Sequence, residues 1–344
     1  MGYNSTLLSI LSFKVSKVNP LLILFVIIAL TFDFLNGFHD SANVVATVIA
    51  SRAMKPVWAL AIASISNLVG PFLFGVAVAT TIGNEVLESP AVTVPVAMAA
   101  LLAAILWNIL TWWFGIPSSS SHALIGGFVG AAIMGYGLDV IRFEGMEKVL
   151  IGLFVSPFIG LVIGWIFMRL TLQIGRATSP SINTIFKRAQ WVTAVALGLS
   201  HGTNDAQKTM GILTLGLVAF GQIPTFHVPN WVIEACALSI ALGTALGGWR
   251  LIRTMGGKFY RIRPVHAFSS QLASTTVILG AALLGAPVST TQVISSTIVG
   301  VGSAERIQKV RWGVAWQIVI AWILTIPFSA LLGALFYAFL SAIL

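Results

Sequence analysis

Two segments of this chain each set an acid among apolar residues. They read Gly37-Phe38-His39-Asp40-Ser41-Ala42-Asn43 and Gly202-Thr203-Asn204-Asp205-Ala206-Gln207-Lys208, with the aspartates 165 positions apart. A second pair, Gly115-Ile116-Pro117-Ser118-Ser119-Ser120-Ser121-His122 and Gly285-Ala286-Pro287-Val288-Ser289-Thr290-Thr291-Gln292, recurs at an offset of 170. Carboxylates in such surroundings can hold a cation or a proton. Hydroxyls just after a proline suit the first turn of a helix, where unpaired backbone N–H groups cradle an oxyanion. Ionisable groups at bilayer depth cost roughly 2.5–3.5 kcal/mol each on insertion scales, so a duplicated pair marks an ion or substrate path.

Each feature also has a plainer reading. Asp40 and Asp205 can cap a helix at a break, and the glycine three residues before each lets backbone approach closely. Asn43 offers a neutral oxygen where the second half carries Lys208, whose ammonium either neutralises Asp205 or snorkels to the interface. The Ser/Thr clusters can pack helices rather than bind. His122 and Gln292 close the clusters and can donate to an oxyanion or a facing carboxylate, and His39 and His122 can relay protons. Asp33 and Glu234 are secondary carboxylates without an acidic partner in register. His201, His227 and His266 receive no role.

The elements that must position these residues are membrane helices. Hydrophobic residues make up 57% of the chain and charged ones 8%, so the fold class is an all-α polytopic membrane protein without a soluble domain. The net charge of +9 gathers in short connections, a topology signal that gives no reason to invoke nucleic acid. Cys236 is the single cysteine, which excludes an intrachain disulfide or a cysteine metal site. Lys14 and Lys17 ahead of Leu21–Leu30 resemble a signal sequence, but the apolar run continues without a cleavage site, and it is taken as the first span. Spans are expected at 20–38, 41–51, 56–82, 91–114, 118–138 and 149–170, then 191–222, 229–249, 265–284, 287–302 and 311–343. Segments 41–51, 118–138 and 287–302 are expected to be broken or re-entrant helices. Gly126-x-x-x-Gly130 and Gly243-x-x-x-Gly247 are weak helix-contact signals.

Loop charges predict two inverted-topology repeats. The Arg52–Lys55 loop has a counterpart near 223–230 without Lys or Arg. The Glu85–Glu88 loop corresponds to one carrying Arg250, Arg253, Lys258, Arg261 and Arg263. Acidic 139–148 corresponds to basic 305–311. Lys14 and Lys17 run against this scheme. The expected organisation is a first transmembrane repeat at 1–175, a cytoplasmic linker at 176–190 and a second repeat at 191–344, meeting at one midplane site.

These paired Asp motifs and paired hydroxyl hairpins, in this order, resemble the inorganic phosphate transporter (PiT) family, low-affinity bacterial type, over essentially the full chain. The resemblance implies a secondary symporter of inorganic phosphate in the cytoplasmic membrane, without a cofactor and commonly a homodimer in the lipid bilayer. It assigns phosphate contacts to Ser119, Ser120, Ser121, Ser289, Thr290 and Thr291, joined by Gln292. It assigns the coupling cation or proton to Asp40, Asn43, Asn204 and Asp205, with His39 beside them. Gln207 and Lys208 depart from sodium-coupled members, which carry Ala-Asn there, and His39 stands where those carry Asn. These departures favour proton over sodium coupling, with Lys208 and Gln207 as charge partners. The cargo is phosphate itself or a neutral metal–phosphate complex, and no metal-ligand set is identified. Sulfate is the rival oxyanion. An intramembrane serine hydrolase using Ser118–Ser121 and His122 is the rival from another class, disfavoured because Gln292 replaces the histidine in the second half; no enzyme activity is expected.

Overall fold

The structure, a computed structural model, describes residues 19–176 and 181–344. Lys14, Lys17 and part of the expected 176–190 linker lie outside the described residues. Twelve α-helices and no named strand occur among those described. The first six are α1 (Pro20–Ala50), α2 (Pro56–Leu73), α3 (Ala77–Asn84), α4 (Val94–Phe114), α5 (Ser120–Tyr136) and α6 (Phe143–Arg176). The second six follow the same order: α7 (Ile182–Ala219), α8 (Asn230–Leu246), α9 (Trp249–Gly257), α10 (Pro264–Leu283), α11 (Thr290–Glu305) and α12 (Trp312–Ser341). Internal prolines recur too, Pro157 in α6 and Pro327 in α12.

Five helices, α1, α2, α4, α6 and α12, are long and apolar enough to cross a bilayer, or six spans if the bent pair α8–α9 is one. Their outer faces are lipid-like. In α12 only Ile318, Thr325, Ser329 and Gly333 are buried, a single stripe at helical spacing. The 38-residue α7 falls outside that group because it carries the polar set His201, Asn204, Asp205, Gln207 and Lys208, all buried. α5 and α11, at 17 and 16 residues, are short of the ~20 needed to span, as the re-entrant reading of 118–138 and 287–302 expected.

Three expectations change. No break separates 20–38 from 41–51, because α1 runs unbroken through Asp40. The span expected at 56–82 divides into α2 and α3 around Gly75, whose φ of +75° suits a residue without Cβ. The span expected at 229–249 bends by 70° between α8 and α9, at Gly247 with φ +72°. In addition, α7 begins at Ile182, so much of the expected linker is helical.

The halves interlock rather than sit side by side. α1 packs on α8 and α2 on α7; α5 packs on α12 and α6 on α11. Side-chain pairings fix the directions. Leu30, Gly37 and Ser41 meet Ser239, Thr244 and Gly248 in turn, so α1 and α8 run parallel. Asp33 bonds Thr209 and the Phe25 ring meets that of Phe220 at a tilt, so stepping back along α1 moves forward along α7, and these two run antiparallel.

Glycine sets the closest approaches. A Cβ on Gly37 would lie 2.1 Å from the Ile240 carbonyl oxygen, and one on Gly202 would lie 2.6 Å from that of Asn67. The glycines three residues before each aspartate therefore seat the first helix of each half against the second helix of the other. Gly126 and Gly130 likewise face Ser329 and Ala330 of α12, and Gly243 faces Phe34. These spacings serve contacts within the chain.

Candidate functional site

Asp40 and Asp205 sit in the middles of α1 and α7, 1% and 0% exposed. They are not helix caps, since neither lies near a helix start. Together with His201 they offer ligand atoms within 4.8 Å of one another. The crossing of two antiparallel helices thus brings both motifs to one buried place.

Hydroxyls from the short helices converge on these carboxylates. Asp40 accepts from Thr291 Oγ1 at 3.2 Å, from Ser120 Oγ at 3.3 Å and from His39 Nδ1 at 2.7 Å. Asn43 Nδ2 donates to Thr291 Oγ1 at 2.9 Å. Asp205 accepts from Thr290 Oγ1 at 2.8 Å and from the Lys208 ammonium one turn on. Lys208 also donates to the Val288 carbonyl at 2.9 Å, as Ser121 does at 3.3 Å. Thr290 and Thr291, adjacent on α11, thus serve different acids because successive helix residues point about 100° apart.

Ser119 and Ser289 are the helix N-caps. Their Oγ atoms accept from the backbone N–H groups of His122 at 3.1 Å and Gln292 at 3.3 Å. Such caps hold the helix starts open toward the cluster and contribute about 1 kcal/mol each. The N-terminal turns of α5 and α11 meet here, as the donation from Ser121 to Val288 records.

Other expected residues are placed differently. Gln207 faces α3, where its Oε1 caps the N–H groups of Val78 and Ala79 and its amide donates to Gly75; it is no partner of Lys208. Gln292 donates to His122 Nδ1 at 2.9 Å, so these two bond each other rather than a carboxylate. None of Ser118–Ser121 bonds the His122 ring, whose Nε2 has no partner, so the Ser–His dyad of the hydrolase reading is not formed. Asn204 is fully buried with both amide atoms unpartnered. Glu234 is on an exposed face of α8. His227 lies in a connection, and His266 bonds Glu305 at the start of α10.

Two residues without an expected role belong to the site. His201 Nε2 lies 3.0 Å from Asp205 Oδ2, although out of line for a hydrogen bond, and its other nitrogen lies 3.3 Å from Asn67 Oδ1. The separation of four from Asp205, one helical turn, was the available signal. Thr111 lies 3.4 Å from His39 Nε2 and accepts from Ser118 at 2.9 Å. Ser118, Thr111, His39 and Asp40 thereby form a polar chain between α4 and α1.

The cluster is two carboxylates, one ammonium and a ring of hydroxyls closed from solvent. Such an arrangement can trade a cation or proton against an oxyanion, because the same hydroxyls suit either acceptor.

Known proteins share this chain's sequence and shape. The profile of the phosphate transporter family matches residues 36–333. A "Probable low-affinity inorganic phosphate transporter" of Bacillus subtilis (strain 168) is 45% identical over 330 residues, covering 94% of this chain and 98% of its own. One of the same description from Rhizobium meliloti (strain 1021) is 43% identical over 327 residues, covering 92% and 96%. A solved structure described as "The sodium-dependent phosphate transporter" superposes with a TM-score of 0.85, covering 94% of this chain and 100% of that one, at 24% identity. That likeness establishes the fold. These relatives are transporters rather than enzymes, and with its apolar helices this multi-pass protein of the cell membrane belongs to the phosphate transporter family.

Proposed function

We propose that the chain imports inorganic phosphate by proton symport, with the oxyanion held by the hydroxyls of α5 and α11 and the coupling proton at Asp40. The carrying observation is that Ser120 of α5 and Thr291 of α11 donate to Asp40 while Thr290 of α11 donates to Asp205, inside one closed cluster. An anion entering beside an ionised carboxylate meets repulsion of about 4 kcal/mol per unit charge at 4 Å and an effective dielectric of 20. Protonating Asp40 removes that repulsion and turns an acceptor into a donor. Ser120 and Thr291 are then released toward phosphate. Lys208 neutralises the second acid permanently, so one proton suffices to make the pair electrically tolerant of an anion.

Alternating access follows from two inverted repeats rocking about the crossing of α1 and α7, a reading supported by their antiparallel course and by the repeated element order. Ser119, Ser121 and Ser289 complete the anion's donors in this reading. Asn43 orients Thr291, and Asn204 supplies a spare amide.

Two variants of the reading carry their own observations. Sodium coupling would use the Asp40 and Asp205 positions directly; the Lys208 ammonium on Asp205 disfavours a second ion there. A divalent cation travelling with phosphate would find Asp40, His201 and Asp205 grouped. Sulfate is disfavoured because phosphate at neutral pH still carries a proton to donate to a carboxylate. A homodimer is the expected assembly, tested by the detergent-corrected mass of the purified protein.

The decisive measurement is radiolabelled phosphate uptake into proteoliposomes with proton and sodium gradients imposed separately, with and without Mg²⁺ and competing sulfate. Uptake driven by the proton gradient alone supports the proposal. Uptake that follows sodium alone, or that sulfate competes away at equal concentration, overturns it.

A further inference from the structure

α1 buries a second acid that the phosphate site does not use. Asp33 is 0% exposed. Its Oδ1 accepts from Thr209 Oγ1 at 2.6 Å, whereas its Oδ2 has no hydrogen-bond partner. Among the described residues it enters no ion pair, in contrast to Asp40 and Asp205. One hydroxyl does not offset the burial of a full negative charge, so this carboxyl needs a neutralising species of its own.

Its placement says which species and why. Asp33, Asn36, Asp40 and Asn43 follow at spacings of three, four and three, one buried stripe along α1. Both amide atoms of Asn36 lack partners, so the stripe between the two acids holds unsatisfied donors and acceptors. The titratable groups acting on Asp33 from neighbouring elements are Asp205 and Lys208 on α7 and Cys236 on α8. With the Arg52–Lys55 loop cytoplasmic, Asp33 lies on the outer side of Asp40. The offset that aligns Asp40 with Asp205 aligns Asp33 with Gly198, where a Cβ would meet Ser66 at 2.6 Å. This station therefore exists on one side only.

We propose that Asp33 is a proton-binding carboxyl in series with Asp40: it accepts a proton arriving from the outer side and passes it along the Asn36 stripe, while Thr209 positions it. The step moves one proton from hydronium on the outer side to the Asp33 carboxylate, breaking one hydronium O–H bond and forming the carboxyl O–H, and then through water hydrogen-bonded to the Asn36 amide to the Asp40 carboxylate, which returns Asp33 to its ionised form. This rests on the proton-symport reading above.

The test uses the full chain in liposomes holding a pH-sensitive dye, with wild type, Asp33→Asn and Thr209→Val compared. An amide mimics the protonated carboxyl, so Asp33→Asn keeps phosphate–phosphate exchange but loses phosphate-linked proton influx and the rise of uptake as outer pH falls. Thr209→Val keeps coupling, with the half-maximal outer pH about one unit higher because a donor to the charged form is gone. Wild-type proton influx per phosphate in Asp33→Asn overturns the assignment. So does loss of exchange in folded Asp33→Asn, which would make the residue part of phosphate binding, or loss of a sodium-driven component, which would make it a sodium site. Should Asp33→Asn not fold, Thr209→Val decides: a shifted profile supports the assignment and an unshifted one overturns it. Absence of proton influx in the wild type would instead remove the symport reading itself.

Discussion

The two halves place the same acid at the same crossing yet neutralise it differently. Asp40 relies on His39, Ser120 and Thr291, and the residue three positions on is the neutral Asn43, which turns away to hold Thr291. Asp205 has Lys208 at that position, bonded to it and to the Val288 carbonyl. One half thus carries a lysine tethered to its acid where the other has a neutral amide at the same position. In the proposed mechanism this difference divides the labour between a fixed charge at Asp205 and the acid that takes the coupling proton, Asp40.

Removing one charge at a time tests this division with the largest effects. Asp205→Asn strands Lys208, and Lys208→Asn strands Asp205; each should lower stability by about 3–5 kcal/mol, the cost of an uncompensated buried charge. The double variant removes both charges and should be milder than either single change, read as a strongly non-additive thermal-shift cycle in detergent. Asp40→Asn strands no lysine and should stay folded while net phosphate uptake is lost. Additive stabilities in the Asp205–Lys208 cycle, or normal uptake by Asp40→Asn, would break the comparison.

How much of this was readable beforehand depended on whether a contact lies along one helix or between distant ones. The paired acids stand out because carboxylates are costly in an apolar run, and the helix starts at 119–121 and 289–291 because hydroxyls follow a proline there. The unbroken course of α1 is hidden because 41–51 is too short to span alone, whereas a single 31-residue helix carries the polar residues through; Gly37 makes the close backbone approach expected of it, against Ile240. Gln207 was misassigned by adjacency to Lys208, although neighbours on a helix diverge by about 100° and Gln207 turns to cap α3. His201 was within reach through its one-turn spacing from Asp205. The bond from Asn43 to Thr291, 248 residues apart, leaves no local pattern at all.

Backbone approach should be nearly symmetric where charge is not. Gly37→Ala and Gly202→Ala each push a methyl group into the carbonyl of the opposing helix, at 2.1 and 2.6 Å, and overpacking of this kind costs typically 1–3 kcal/mol. Gly37→Ala should be the more damaging, because its clash is the closer. Melting temperatures of the two variants check the order. Smaller still, Ser119→Ala and Ser289→Ala each remove an N-cap worth about 1 kcal/mol. Both should raise the apparent KM for phosphate a few-fold while leaving proton coupling intact, as measured by initial uptake rates.

The weakest contrast lies at the far ends of the two short helices. α5 stops at Gly137, whose φ is +84°, whereas α11 stops at Glu305, which accepts from Arg263, Lys309 and His266. Burial pushes the Glu305 carboxyl up, but the bonds from Lys309 and His266 and the Arg263 charge outweigh it and hold it down at about 2. A carboxyl depressed in the folded state contributes stability above its ordinary value of 4.5 and loses it as pH falls toward 2. Acid should therefore loosen the α11 end before the α5 end. Glu305→Gln should abolish that acid sensitivity with a loss of about 1 kcal/mol or less at neutral pH, since the group is partly exposed. Hydrogen exchange at residues 300–305 and 132–137 between pH 5 and pH 3 reads the difference directly. Equal protection at both ends across that range would show that the charge cluster does not anchor α11.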